Sequence, residues 1–223
     1  MSRKLGLVTI VWGLIASLAF AFTVTVTPAT AESHAAHGAR TNRAAFHDAM
    51  RKLWEDHVVW TRQFIVSAAT ESGNLADIGP TTDRLLANQT DIGNALKPFY
   101  GEAAGNQVTA LLRDHILTAA ELVAAAKAGD AAAVDAASAA WSANADDIAT
   151  ALNGLNSKHW PLAEMKAHMK DHLDLTLEEA VARLQGRYAD DIAAYDKIHV
   201  QILGMADMLS DGIIAQFPEK FAR

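Results

Sequence analysis

The chain has 223 residues, 26 acidic against 19 basic side chains, a net charge of −7 and no cysteine. Such a length holds one or two domains, and the acid excess argues against nucleic acid or an anionic membrane surface as a partner. Without thiols there are no disulfides, thiolate zinc sites, iron–sulfur clusters or cysteine nucleophiles, so any metal must be held by His, Asp, Glu or Met.

The chain opens Met1-Ser2-Arg3-Lys4 and continues as an apolar run from Leu5 to about Val26. Ala29-Thr30-Ala31 then supplies the small residues that a signal peptidase requires. Residues 1–31 therefore read as a signal peptide, and the protein as extracytoplasmic, either secreted or associated with the cell envelope. The alternative is an uncleaved anchor, because the apolar run is long enough to approach a bilayer span. Beyond residue 31 the chain carries 17 basic and 26 acidic residues, a balance of −9, since the leader contains Arg3 and Lys4 but no acid. The small, polar residues 32–41, with His34, His37 and Gly38, read as a mobile tail.

From residue 42 to about 220 the apolar residues recur with a period near 3.6 and strand patterns are nearly absent, which predicts an all-α antiparallel helical bundle. Its breaks fall at Gly73-Asn74, Gly79-Pro80, Pro98 to Gly101, Gly129-Asp130, Asn153 to Pro161 and Pro218. They divide the domain into about six helical segments: 42–72, 80–97, 102–128, 130–156, one opening at Pro161, and a last one ending before Pro218. Gly129 suits a helix C-terminus, Asp130 an N-cap, and Thr176-Leu177-Glu178-Glu179 has the form of a capping box at which the fifth segment should stop.

The segments pair into three hairpins, and the first helix of each carries Asp-His followed by an aliphatic residue: Asp56-His57-Val58, Asp114-His115-Ile116 and Asp171-His172-Leu173. The histidines are 58 and then 57 residues apart, which suggests a repeated hairpin. Each lies within an apolar stripe. Met50, Leu53, Trp60 and Phe64 flank His57; Val108, Leu111, Leu112 and Leu122 flank His115; Met165, Met169 and Thr176 flank His172, with His168 at the edge. In the last helix Ile192, Tyr195, His199, Ile202, Ala206, Leu209 and Ile213 predict a fourth inward histidine.

A buried neutral imidazole needs a partner for each nitrogen. Four on converging helices point to one shared solution, a transition metal ion held by His57, His115, His172 and His199. Asp56, Asp114, Asp171 and Asp196 would orient the rings from neighbouring helices. Imidazole suits copper, zinc or iron, and the nearby thioethers of Met165, Met169 and Met205 favour copper. The alternative for these methionines is gap-filling core. No Glu stands three residues before a His, so a ferritin-like di-iron centre is not indicated. Haem is the weaker cofactor expectation, as no C-x-x-C-H is present. Phosphate loops, the Gly-x-Ser-x-Gly elbow and His-Glu-x-x-His are missing too. Asn88, Asp91, Asn144 and Asp147 line the second and fourth segments, as interhelical hydrogen bonds, solvated faces or a polar pocket.

The stretches Leu53 to Arg62, Asn88 to Gly93, Lys97 to Gly101 and Met205 to Ile214 resemble a group of exported bacterial all-helical proteins that have no established activity. The resemblance covers about residues 50–220 and implies the same helical fold. Members of the group often carry a glycosyltransferase label. This sequence lacks the strand pattern of the Rossmann-like sheet on which common glycosyltransferases hold a nucleotide-sugar. Three functions follow as expectations: binding of a metal or small ligand in the core, a structural or sensory bundle with no ion, and an enzyme for which no nucleophile–base pair is legible.

Overall fold

The computed structural model describes residues 29–70 and 73–222, with side chains from Asn42 onward. Most of the expected leader thus lies outside the described residues. The chain folds as an all-helical bundle of α1 (Ala29–Ala68), α2 (Ile78–Ala128), α3 (Ala131–Leu155), α4 (Leu162–Leu184) and α5 (Tyr188–Gln216), closed by a 3-10 turn at Pro218–Phe221. The helix of α1 already covers residues 32–41, the stretch read from sequence as a tail.

α2 holds two of the expected segments: it continues through Pro98 and doubles back at Gly101, whose φ of 85° and ψ of 169° are not helical. A straight helix would hold Gly93 and Gly105 about 18 Å apart. Instead a Cβ on Gly93 would lie 2.5 Å from the Gly105 carbonyl oxygen, and one on Gly105 would lie 2.6 Å from that of Gly93. Only glycine permits this backbone contact.

The next turn follows the expected chemistry. Gly129 takes the left-handed conformation at φ 69°, and the Asp130 carboxylate accepts from the Ala133 N–H at 3.1 Å. The expected break at Thr176 does not occur. The Thr176 hydroxyl donates to the His172 carbonyl inside α4, Glu179 is engaged elsewhere, and the turn falls at Gly186, φ 69°. Each helix packs on its neighbours in the chain, and α5 closes against α1.

The main core runs from Met50, Trp54 and Val58 of α1 through Ile92, Leu112, Trp141 and Ile148 to Met165, Met169, Ile202 and Met205. Burial of such apolar area, at about 25 cal/mol per Å², supplies the principal stabilisation in a chain without disulfides. A second cluster gathers Ile65 of α1, Val123 of α2 and Ala180 of α4. These three stand eight residues after His57, His115 and His172, so the helices that carry the histidines also converge two turns further on.

Candidate functional site: a buried imidazole cluster

The three histidines meet in the core. The ring of His172 lies 5.6 Å from that of His57 and 6.2 Å from that of His115, centroid to centroid, and all three residues are buried. Burial, with the neighbouring imidazoles, holds His57 well below its ordinary pKa and His115 at about 3, while burial alone brings His172 to about 4. All three are therefore neutral near pH 7.

An amide from the following helix governs each ring. Gln89 donates through its nitrogen to the Leu85 carbonyl and to Asn88 Oδ1, so its Oε1 accepts from His57 Nδ1 at 3.2 Å. Asn144 donates to the Leu111 carbonyl at 3.0 Å and accepts from His115 Nδ1 at 2.9 Å. Gln201 donates to the His168 carbonyl at 3.0 Å and faces His172 as a hydrogen-bonding neighbour, but Gln201 Oε1 and His172 Nδ1 do not close a bond of good geometry. Asn88 completes the pattern by donating to the Leu53 carbonyl at 3.0 Å. Leu53, Leu111 and His168 each precede their histidine by four residues, so an amide of the following helix binds the equivalent carbonyl beside all three imidazoles, and Asn144 alone bonds both carbonyl and ring.

This arrangement fixes the tautomers of His57 and His115. An amide oxygen at Nδ1 demands a proton there and leaves the lone pair on Nε2. At His115 that lone pair accepts from the indole Nε1 of Trp141 at 3.2 Å. At His57 and His172 no described side chain donates to Nε2. The indole Nε1 of Trp54, whose ring lies 5.8 Å from His57, is a buried donor without a partner. His172 Nδ1 and Gln201 Oε1 are likewise buried without a partner, in a setting where buried polar groups are normally satisfied.

The other expected site residues lie elsewhere. His199 is not in the core: its Nε2 contacts Glu55 Oε1 at 2.8 Å and its side chain is 34% exposed. The buried face of α5 is turned by one residue, through Asp191, Ala194, Ile198 and Ile202, and Ile192 is left exposed. Asp191 can point inward because Arg62 reaches it at 2.6 Å and Arg183 at 3.3 Å. Nor do the aspartates orient the rings. Asp56 pairs with Lys52 and Arg84, while Asp114, Asp171 and Asp196 are exposed. His168 is half-buried and its carbonyl accepts from Gln201. Met165, Met169 and Met205 belong to the main core. Among the described residues, no set of three or more His, Asp or Glu side chains is disposed to hold one ion.

Two polar clusters escaped the sequence reading. Arg62 of α1 bridges Glu179 of α4 at 2.5 Å and Asp191 of α5 at 2.6 Å, with its guanidinium 4.8 Å from the Tyr195 ring centroid. Burial lifts the Glu179 carboxyl to about 7 despite this pairing.

The second cluster has the order of a hydrolytic triad: Ser210 Oγ lies 2.7 Å from His47 Nδ1, and His47 Nε2 lies 3.1 Å from Asp211 Oδ1. Its chemistry is different. Ser210 is fully buried, out of reach of a substrate, and the Ala206 carbonyl at 2.8 Å competes with the imidazole for its single proton. The cluster ties α1 to α5.

Comparison of the chain with protein-family models, with curated proteins and with solved structures finds no match.

Proposed function

We propose that this is an exported protein, released from its leader at residue 31, that binds a single soft metal ion, copper(I), between the Nε2 atoms of His57 and His172. The reading rests on one observation: two neutral, buried imidazoles whose ring centroids lie 5.6 Å apart, with no donor to either Nε2 among the described residues. One ion placed about 2.0–2.1 Å from a nitrogen of each ring would span such a gap. A histidine that ligates a metal generally donates its other N–H to a fixed acceptor, which is the part Gln89 plays for His57 and Gln201 is placed to play for His172.

Charge favours copper(I) over zinc or iron(II). The buried carboxylates Glu179 and Asp191 are committed to Arg62 and Arg183, and no anion is left to neutralise a divalent ion among the imidazoles. Burying a charge without compensation is costly, and the cost rises steeply with its magnitude. Copper(I) also accepts two nitrogen ligands, a number too low for zinc. The amide-to-carbonyl bond that recurs beside each imidazole supports three repeated hairpins, in which the second histidine has been closed off by Trp141.

A second reading has its own observation. His115 is satisfied wholly within the protein, which is how all three rings would behave in a structural bundle without an ion. Anaerobic titration of the untagged protein with copper(I), against a chromophoric competitor, separates the two. Copper binding requires one equivalent in the wild type and in His199→Ala, and none in His57→Leu or His172→Leu variants that keep their helical circular dichroism. Equal retention of copper by the double variant His57→Leu/His172→Leu would leave the structural bundle as the function.

A further inference from the structure

A cavity of about 40 Å³ lies next to the imidazoles, between α1, α2 and α4. Thr61, Ala119 and Thr176 line it, and each follows its histidine by four residues. Ile65, Val123 and Ala180 line it one turn further on. The void has a sequence cause. The three helices converge here, but the positions nearest their common axis hold Thr, Ala and Thr, then Ile, Val and Ala. Ile65, Val123 and Ala180 pack together at one end, but the short side chains above them leave the space beside them unfilled, whereas bundle interiors normally close to the density of organic crystals.

The lining offers nothing to water. The hydroxyls of Thr61 and Thr176 are turned into their own helices, where they donate to the carbonyls of His57 and His172 at 2.8 Å each. Trp141, also on the wall, spends its N–H on His115. A water molecule needs only about 10–15 Å³ of such space but also two to four polar partners, and apolar cavities without them stay dry and admit apolar guests. The size sets an upper limit, because a cavity that takes benzene is about 150 Å³.

We propose that this axial cavity is a binding site for one small apolar molecule of diatomic size, such as dioxygen or carbon monoxide, held one helical turn from His57, His115 and His172. The site is independent of the metal reading, because its walls are formed by the bundle alone. Xenon is the probe, applied under pressure to the metal-free full chain with methyl resonances recorded by NMR. The expected result is a saturable shift of the Ile65, Val123 and Ala180 methyls, at least tenfold weaker in Ala180→Leu. Ala119→Val, a smaller filling, serves if the first variant fails to fold. Shifts that do not saturate, that fall on other methyls, or that persist undiminished in whichever filled variant folds would overturn the proposal.

Discussion

The indole Nε1 of Trp141 donates to Nε2 of His115 at 3.2 Å, which leaves this histidine no free lone pair, while its neighbour His172 has a buried Nδ1 without a partner. The two rings are 6.2 Å apart and sit on equivalent turns of α2 and α4, yet only one is chemically available.

Replacing Trp141 with Phe should expose that difference. The substitution leaves His115 Nε2 as a buried acceptor without a donor and removes part of the indole volume. We expect the metal-free protein to lose about 1–3 kcal/mol in urea unfolding. Copper(I) affinity should rise, because a third imidazole becomes available beside the other two. A variant with unchanged copper affinity would show that His115 cannot turn toward His172.

Acid should unfold the metal-free bundle through the same rings. Below pH 6.5 the unfolded chain protonates its histidines, while the folded core keeps His115 neutral down to about 3 and His172 down to about 4. The unfolded state then binds more protons, so stability is full above pH 6.5 and falls as the pH drops. The share of His172 reaches about 3 kcal/mol by pH 4, at about 1.4 kcal/mol per unit. Glu179 acts in the opposite sense. Its carboxyl titrates at about 7 in the folded state, so its contribution is complete below about pH 4.5 and is lost as the pH rises through 7. Urea midpoints measured from pH 4 to 8 should rise to a plateau near pH 7, and Glu179→Gln should steepen the rise between about pH 4.5 and 7.

Arg62 ties three helices through two buried carboxylates, and its own side chain is only 18% exposed. Arg62→Met strands Glu179 and leaves Asp191 with Arg183 alone, and should cost about 3–5 kcal/mol. Thermal unfolding of Arg62→Met beside Arg62→Lys measures this, and lysine should recover only part of the loss because it lacks the planar fork.

Gly212 is required by packing. A Cβ there would lie 2.1 Å from Trp160 Nε1, and Trp160 is completely buried. Its neighbour in the same helix, Gly204, faces open space. Gly212→Ala should therefore destabilise by about 1–3 kcal/mol, whereas Gly204→Ala should stabilise by up to about 1 kcal/mol through helix propensity. Calorimetry of the two variants gives the contrast directly.

Much of this architecture is legible in the sequence because helix ends carry local chemistry. Gly129-Asp130 and Gly101 turn the chain where their conformational freedom and capping predict. The convergence of His57, His115 and His172 follows from one spacing repeated along the chain. His199 was misplaced because the sequence offers Ile192 and Asp191 side by side, and hydrophobicity favours burying the isoleucine. The fold buries the aspartate instead, since Arg62 lies 129 residues away in sequence but 2.6 Å away in space. The amides are legible in part. Asn88 and Asn144 make the interhelical hydrogen bonds that their positions suggest, whereas Gln89 and Gln201 resemble surface residues until the preceding helix supplies an imidazole, and such long-range polar pairing leaves no periodic trace.

The central claim is that two particular nitrogen atoms are ready to bind a metal, and imidazole nitrogen NMR reads them individually. Copper(I) is added anaerobically to protein labelled with nitrogen-15 in its histidines. The Nε2 resonances of His57 and His172 should move together and stop at one equivalent, with their Nδ1 atoms still protonated and His199 unmoved. A shift confined to His199 or other exposed rings, with both core histidines unchanged, would contradict the claim.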